Sequence, residues 1–378
     1  MNKKLLTLAV GAALGAAPMI AAQAAVTVYG VAHLSVDSLD NGNTAVSPAG
    51  SSILTLSSNS SYIGFKADED LGDGMKALFG AELQLGLDNN GNTLTGTQTN
   101  NGSTLFNRNV FVGLQGGFGT VRLGNYDDIV KQIGRKVDLF YSEQIGESRT
   151  LTRQSNTMDE RMANSFNYET PSFGGFKVVL NYGMANTTND AGTTATAPVT
   201  QYAVGAAYEH GPLFVGLAYK TIDYSNVSTA GVESPSGIRA SVSYTLGDLQ
   251  LVGLYQTNTA IGGVNGADDN VYGLGLGYTI GGKHRIKGQY YAASAQDYNT
   301  ATSANGATMY AIGYDFMMSK TTTVYVTYAA VSNDGTATTG GTYSIVGAGH
   351  ANPQDATYTA TTAGNDPSGF SFGMRMAF

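Results

Sequence analysis

Apolar and polar side chains alternate with a period of two residues along most of this chain, and this alternation restricts the fold more than any other feature. In residues 201–208, Tyr202, Val204, Ala206 and Tyr208 alternate with polar or small residues. The same pattern recurs at residues 176–182, 213–219 and 238–246. Successive side chains of a strand point to opposite faces, so the period predicts strands with one apolar and one wet face.

The connections between these strands alternate between two lengths. One class is very short and is found at residues 70–74, 115–118, 171–175, 210–212, 247–248, 281–282 and 318–321. The other class is long, is rich in Asn, Thr, Gly and Ser, and is found at residues 88–102, 185–198, 224–235 and 332–367. An up-and-down barrel with tight turns at one rim and long loops at the other has this rhythm.

The segments between these connections number about sixteen, an even number as in closed barrels. They run from Val26 to Phe378, and none of them approaches the roughly 18 consecutive apolar residues that a membrane helix needs. In lipid, a sheet must close on itself because every backbone N–H and C=O needs a partner within the protein. The sequence therefore predicts an all-β fold, a transmembrane up-and-down antiparallel barrel with an aqueous lumen.

The N-terminal residues have the order of a secretory signal peptide. Two lysines precede an apolar run at residues 5–20, and an Ala-x-Ala cleavage site follows at residues 22–24. We expect residues 1–24 to be cleaved and residues 25–378 to form the barrel. Loss of the two lysines changes the formal net charge from −8 to −10, and this acidic balance argues against nucleic acid as a partner. Because the chain has no Cys, it is not a disulfide-stapled fold.

Several segments resemble the general porins of the Gram-negative outer membrane, particularly those of β-proteobacteria. The first strand at residues 25–30 (AVTVYG) and the strand-turn-strand segment at residues 63–77 (IGFKADEDLGDGMKA) carry the resemblance, as do residues 106–124 and 161–175. The aromatic residue Phe378 at the C-terminus is also similar to the last residue of outer-membrane barrels. The matches extend from the first strand to the last and are specific at the level of the family.

The resemblance implies a location, an assembly and an activity. A member of this family would be a homotrimer in the cell outer membrane, surrounded by outer-membrane lipid and lipopolysaccharide. It would let small ions and hydrophilic solutes cross by passive diffusion. Its third external loop, which runs from Asn125 to about Glu160 in this chain, would fold into the lumen and narrow the channel. Phe378 would act as the signal that assembly machinery reads.

The resemblance also implies a set of residues at the pore constriction. Arg108 and Arg161 would stand on the barrel wall at the narrowest point, with the acidic group of Glu82 opposite. Alternation supports the inward position of Arg161 independently, because this residue shares a strand face with Ser165 and Asn167.

Departures from the family change the expected set of charges. Tyr62 and Asn125 stand where the family usually has Arg. Arg122 replaces a small polar residue, and both of its neighbours take the lipid face, so its side chain is predicted to enter the pore. Lys66 is predicted to join it from the polar face of another strand.

Acidic side chains of the third loop are expected to oppose the wall arginines. Asp127 and Glu143 are the candidates for facing the pore, while other loop charges would anchor the loop to the wall. Because the wall arginines favour anions and the acidic loop opposes them, we predict a weak preference for anions. Several other basic residues on polar strand faces are either pore lining or an ordinary solvated wall, namely Lys177, Arg239, Arg285 and Lys287.

Other functions have less support in the residues. The four His are scattered and none lies beside a nucleophile motif, so we predict no catalytic residue and no enzyme. No cluster has the spacing of metal ligands, and no motif requires a cofactor. A β-helical adhesin would show a short regular repeat, which is absent. A sugar-specific channel would need a row of lumen-facing aromatic residues, for which Tyr291 and Tyr325 are candidates, and this alternative stays open.

Overall fold

The computed structural model describes residues 25–42, 52–88, 106–141, 144–153, 158–188, 194–225, 231–298, 301–302, 305–335, 342–346, 350–351 and 364–378. The expected signal peptide, residues 1–24, and the loop residue Glu143 lie outside these residues.

Strands dominate the described residues, and two short helices lie between the sixth and seventh strands. The strands are β1 (Thr27–Asp40), β2 (Ser52–Asn59), β3 (Tyr62–Gly72), β4 (Met75–Gln84), β5 (Val110–Gly116), β6 (Gly119–Asp127), β7 (Arg161–Glu169), β8 (Phe176–Thr188), β9 (Thr194–His210), β10 (Leu213–Asp223), β11 (Ser236–Leu246), β12 (Leu249–Thr259), β13 (Asp269–Ile280), β14 (His284–Ala293), β15 (Asp297–Tyr298), β16 (Ala301–Thr302), β17 (Ala307–Met317), β18 (Thr322–Asn333), β19 (His350–Ala351) and β20 (Ser368–Ala377). The helices are α1 (Ile129–Arg135) and α2 (Arg149–Thr152), and a 3₁₀ turn covers Ile261–Gly263.

Sixteen antiparallel spanning strands close into one barrel. β2 and β3 form a single spanning strand, because both pair with β1 and they are separated only by a bend at Ser60, where φ is +49°. The short strand β19 pairs with the end of β2 in antiparallel orientation, and β15 and β16 form a separate hairpin. The barrel closes where β20 pairs with β1, from Val31 opposite Ala377 to Asp40 opposite Ser368. The structure confirms the sixteen-stranded barrel that the alternation predicted.

Glycines form the tight turns at one rim. Gly247, between β11 and β12, has φ +60°, and Gly281 and Gly282, between β13 and β14, have φ +59° and +67°. Glycine adopts this left-handed region without the steric cost that a Cβ imposes. Each of the short connections predicted from the sequence joins two consecutive spanning strands.

The two faces of the wall differ as the alternation requires. In β20, Phe370 and Phe372 are 59% and 60% exposed on the outer face, whereas Ser371 is buried on the lumen side. Outward apolar side chains and an inward polar surface are typical of a barrel that meets lipid outside and water inside. Neither helix in the described part of the chain is long and apolar enough to cross a membrane.

The buried apolar core lies inside the barrel, between the third loop and the wall. Ile129 and Ile133 of α1 pack against Gly205 of β9 and Gly216 of β10, where an added Cβ would lie only 2.7 Å from each isoleucine side chain. The other buried apolar residues of the loop are Val130, Val137, Phe140, Ile145, Leu151 and Met158. The structure confirms that the third loop folds into the lumen.

Phe378 completes the seam between the last strand and the first, and this gives a testable prediction. Its N–H donates to the Gly30 carbonyl at 3.1 Å, and the Gly30 N–H donates to the Phe378 carbonyl at 3.0 Å. Deleting Phe378 removes both bonds, and unpaired backbone groups are costly, so the yield of folded protein in the membrane should fall. The yield is measured from the heat-sensitive mobility of the folded form on gels.

Phe378→Ala is the matched control, because it keeps both backbone bonds and removes only the ring. We expect this variant to lose yield through the missing aromatic signal but to retain more folded protein than the deletion. A normal yield from the deletion would contradict both roles of Phe378.

Candidate functional site

The third loop is fastened to the barrel wall by buried ion pairs. Asp128 accepts a hydrogen bond from the Lys131 N–H at 2.9 Å, which caps the start of α1, and it lies 2.8 Å from Lys220 Nζ of β10. Both side chains of the Asp128–Lys220 pair are fully buried. Asn181 of β8 accepts a hydrogen bond from the Ile129 N–H at 3.0 Å. These contacts hold α1 against β8 and β10.

A second buried pair holds the far end of the loop. Arg239 of β11 donates to the two oxygens of Asp159 at 2.5 and 2.6 Å and to the Val130 carbonyl at 3.1 Å. Burial by itself raises the pKa of Asp159, but the charge and hydrogen bonds of Arg239 hold that pKa down at about 2. The carboxylate is therefore ionised at neutral pH, and the pair persists.

The middle of the loop is hydrogen-bonded to β14. Gln289 donates to the Gly146 carbonyl at 2.8 Å and accepts from the Leu139 N–H at 3.1 Å. Two residues earlier on the same strand face, Lys287 donates to Gln144 at 3.0 Å. The loop is thus attached to the wall at both ends and in the middle.

Some of these attachments involve basic wall residues for which the sequence left two roles open, pore lining or an ordinary solvated wall. Arg239 and Lys287 do face the lumen, but the structure shows each of them in contact with the loop. The sequence analysis did not single out Lys220, although this residue continues the inward face of β10 after Gly216 and Ala218. Alternation identifies the inner face but does not show which inner cations the loop covers.

A second set of side chains surrounds a narrow cleft at the edge of the loop. Arg108 Nε lies 3.5 Å from Glu82 Oε2, and the guanidinium carbon of Arg108 lies 4.5 Å from the ring centroid of Tyr62. Tyr29 donates a hydrogen bond to the other Glu82 oxygen at 3.0 Å. The sequence analysis placed Glu82 opposite the arginines, and the structure places it directly beside Arg108.

Asp127 is the other acidic group of this region, and three basic side chains contact it. Its oxygens lie 3.4 Å from Lys131 Nζ and 3.3 Å from Arg161 Nε, and Arg135 donates a hydrogen bond to it. Asn109 donates a further hydrogen bond at 3.1 Å. Burial lowers the pKa of Lys131 to about 7 against the attraction of Asp127, so Lys131 is only partly charged near neutral pH.

A bulge in β7, which the alternation did not reveal, determines the position of Arg161. The register between β6 and β7 shifts near the loop, and Asn164 in β7 has φ +48°. An extra residue at such a bulge interrupts the two-residue period, so Arg161 does not continue the strand face of Ser165. Arg161 lies opposite Asp127 at the end of the paired region, and its side chain contacts that carboxylate.

The cleft has a volume of about 160 Å³ and lies between the loop and the wall. Arg135 and Tyr141 line it from the loop, and Tyr62, Arg108 and Arg375 line it from the wall. Tyr141 and Arg375 also line a second cleft of about 310 Å³, so these two side chains stand between the two spaces. The sequence analysis missed Arg375, although Arg375 continues the inward face of β20 after Ser371 and could have been found by alternation.

Basic side chains outnumber acidic ones around this cleft. The charged residues that line it are Arg108, Arg135 and Arg375 and the acidic Glu82. Asp127, which contacts Arg135, lies outside the lining together with its other partners Lys131 and Arg161. The lining therefore has a net charge of +2, from three arginines and one carboxylate. The neighbouring Lys131, Arg161 and Asp127 add a further +1 when Lys131 is protonated and nothing when it is neutral. Low-dielectric walls focus the field of such a surplus and raise the local concentration of anions.

Two further predicted residues lie elsewhere on the lumen wall. Lys66 Nζ lies 5.3 Å from the ring centroid of Tyr29, and Arg122 lies 3.7 Å from Glu169, close to the short turn between β7 and β8. Neither side chain lines the cleft described above. Within the described residues, no group of three or more His, Cys, Asp or Glu side chains is arranged to hold a metal ion.

Comparison with known proteins gives a consistent family. A family model described as Gram-negative porin matches residues 7–336. Outer membrane porin protein 32 of Delftia acidovorans is 30% identical over 388 aligned residues, which cover 100% of this chain and 100% of the relative.

Solved structures of outer-membrane proteins superpose on the barrel. An anion-selective porin from Comamonas acidovorans has a TM-score of 0.71 and 26% identity, over 94% of this chain and 100% of that chain. The trimer form of OmpT from Vibrio cholerae has a TM-score of 0.64 over 94% and 99% of the two chains, and at 16% identity it shows the fold alone.

The Arg239–Asp159 pair yields a prediction about the loop. Arg239→Met leaves the Asp159 carboxylate buried without its main partner, and breaking a buried pair in this way typically costs about 3–5 kcal/mol. We expect the loop to detach part of the time, which should appear as a lower unfolding temperature and as noisier single-channel current.

Two variants serve as comparisons. Arg239→Met combined with Asp159→Asn leaves no lone buried charge and should recover part of the thermal stability. Arg285→Met removes a lumen cation that hydrogen-bonds Gln250 at 2.5 Å rather than the loop, so its current should stay quiet. Unchanged noise and stability in Arg239→Met would show that this pair does not hold the loop.

Proposed function

The chain belongs to the Gram-negative porin family, and on that premise we propose that it forms a water-filled channel with a weak preference for anions. Ions and small hydrophilic solutes diffuse passively through its lumen across the outer membrane. The observation that supports the preference is the surplus of basic side chains around the cleft between the third loop and the wall.

Position gives these few charges their influence. The mature chain is acidic overall, but salt screens charges beyond about 8–10 Å, so distant carboxylates have little effect on an ion in the cleft. A charge at the narrowest point acts over a short distance between low-dielectric walls. The name of the similar Comamonas acidovorans structure, an anion-selective porin, agrees with this reasoning.

The preference is weak because most of these cations are paired. Arg108 lies beside Glu82, while Arg135 and Arg161 share Asp127. Arg375, which also lines the cleft, makes no ion pair with another described residue, so no neighbouring carboxylate offsets its positive charge. The field in the cleft is therefore positive but much smaller than five separate cations would produce.

Two tyrosines bear on the alternative of a sugar-specific channel. Tyr291 and Tyr325 both point inward, but each is only 1% exposed. Tyr325 is hydrogen-bonded to the His33 ring at 2.8 Å, inside the wall network. Since both rings are almost fully covered by neighbouring side chains, the pair is a poor sliding track for a sugar, which supports general diffusion.

The proposal extends to processing and surroundings. Residues 1–24 act as a signal peptide that is cleaved, and residues 25–378 form the mature barrel. The outer apolar band, which includes Phe370 and Phe372, contacts lipid and lipopolysaccharide. The protein is a channel without a cofactor and without an enzymatic activity.

Replacing Arg108 and Arg161 together by Ser tests the anion preference. The cleft and its immediate surroundings then lose two positive charges, so the anion-to-cation permeability ratio should fall by about twofold or more, and unit conductance should rise because the opening widens. The ratio is measured from the reversal potential of single channels in a planar bilayer under a salt gradient.

Lys283→Ser combined with Lys320→Ser is the matched control, because it removes two positive charges from exposed turns far from the cleft. Its reversal potential should equal that of the wild type. The proposed roles fail if the Arg108 and Arg161 variant has a wild-type reversal potential. A wild type that is closed to salt but opens to one sugar would favour the specific channel.

A homotrimer is the proposed assembly, supported by the family and by the small or apolar residues that β1 carries near Val28 to Val36. Size-exclusion chromatography with light scattering in detergent should give three times the chain mass, and gels should show a large form that heat dissociates. A folded species of monomer mass with no larger heat-sensitive form would rule out the trimer.

A further inference from the structure

A recess in the lumen wall, separate from the cleft at the third loop, is formed by four consecutive spanning strands. Its volume is about 370 Å³, and its lining includes Lys66 of β3, Lys76 and Leu78 of β4, Phe111 of β5, and Arg122 and Tyr126 of β6. These residues lie between the cleft and the short turns, on the side of the channel that faces the periplasm in an outer-membrane barrel.

Glycines create the recess. Gly80 of β4 faces the Phe111 ring, and an added Cβ there would lie 2.6 Å from the ring. An added Cβ at Gly113 of β5 would lie 3.4 Å from Arg122 Cγ. The missing side chains leave the Phe111 ring set into the wall, where it packs edge-to-face on Tyr126 with a centroid distance of 5.2 Å. The floor of the recess is therefore aromatic.

Cations flank this floor on both sides. Lys66 and Lys76 stand on the two strands before Phe111, and Arg122 stands on the strand after it. Arg122 lies 4.8 Å from the Tyr126 ring centroid, so it is held over the aromatic floor. Asp68 pairs with Lys76 at 2.9 Å, and Glu169, just outside the lining, lies 3.7 Å from Arg122. The three cations and these two carboxylates leave the recess with a net charge of +1.

We propose that this recess is a binding subsite for small aromatic carboxylates on their way through the lumen. The carboxylate interacts with Lys66 and Arg122, and the flat ring lies on the apolar floor of Leu78 and Phe111. Charge-assisted contacts and ring stacking each strengthen binding, and only a solute that carries both groups uses both. The inference rests on the proposed function, because the recess serves passing solutes only if they diffuse through the lumen.

A solute that lacks either the carboxylate or the aromatic ring contacts only the cations or only the apolar floor of the subsite. Acetate offers the charge without a ring, and benzyl alcohol offers the ring without a charge. Inorganic phosphate would be attracted by the lysines but would leave the aromatic floor uncovered. Benzoate is therefore the probe that separates this recess from a general attraction of anions.

The test uses single channels in a planar bilayer with potassium chloride on both sides. Potassium benzoate is added to the side of the short turns, and the chloride current should fall to a plateau as the subsite fills. Acetate and benzyl alcohol at the same concentrations should leave the current without a saturable decrease. Saturation-transfer NMR of benzoate with the detergent-solubilised protein provides a second readout that does not depend on current.

Substitutions inside and outside the recess test whether benzoate binds there. Lys66→Gln combined with Arg122→Gln should raise the half-saturating benzoate concentration by about tenfold, and Phe111→Leu should raise it by about threefold. Lys283→Ser with Lys320→Ser, which removes two cations from exposed turns, should leave it unchanged. Arg108→Ser with Arg161→Ser should shift the reversal potential but keep the benzoate plateau.

The outcomes distinguish the two proposals. A channel that conducts chloride but shows no saturable benzoate effect, or one in which acetate acts like benzoate, overturns the subsite and leaves the channel intact. Equal benzoate affinity in the Lys66 and Arg122 variant also overturns it. A protein that conducts no chloride overturns the proposed function, and the NMR readout then decides the subsite by itself.

Discussion

The hydrogen-bonded closure of the sheet is the constraint on which the rest of this structure depends. At membrane depth no water satisfies a free backbone N–H or C=O, so the last strand must pair with the first. β20 and β1 do so over ten residue pairs, and Phe378 extends the seam to Gly30. Closure then fixes the role of each side chain, because odd and even positions along a strand are assigned to lipid or to lumen. An apolar core cannot form between two sheets, and it forms instead where the third loop meets the inner wall.

The loop's position is specified by polar contacts as well as by apolar packing. Lys220 with Asp128 and Arg239 with Asp159 are buried pairs, and such pairs add little net stability because both charges lose water. These pairs determine the position of the loop more than its stability, since a shifted loop would leave a buried charge without its partner. Asp127 and Arg135 are thereby held at fixed distances from the wall arginines. The size of the opening is thus set by pairs that do not themselves line it.

The sequence predicted the architecture well because its signals are periodic. Alternation and turn spacing predicted sixteen strands and the short turns, and the resemblance to porins predicted the inward loop. The site was harder to predict for identifiable reasons. The bulge at Asn164 has no periodic signature, so the strand face assigned to Arg161 was wrong even though that side chain does reach Asp127. Arg239 faces inward as alternation requires, but only the fold shows that the loop covers it. The inward position of Arg375 could have been predicted from the alternation along β20, but Arg375 lies outside the segments that resemble porins.

Two kinds of charge coexist in the lumen, and their arrangement explains how a rigid loop and a weakly selective opening arise together. Each anchoring pair is neutral as a unit, and the field of a close pair falls steeply with distance. The anchors therefore hold the loop without imposing a strong field on the opening. At the cleft the pairing is incomplete, because one carboxylate, Asp127, serves Lys131, Arg135 and Arg161, and Arg375 pairs with no described carboxylate. A passing ion responds to the positive charge that has no carboxylate partner. The number of acidic partners, rather than the number of arginines, therefore determines how strongly the channel prefers anions.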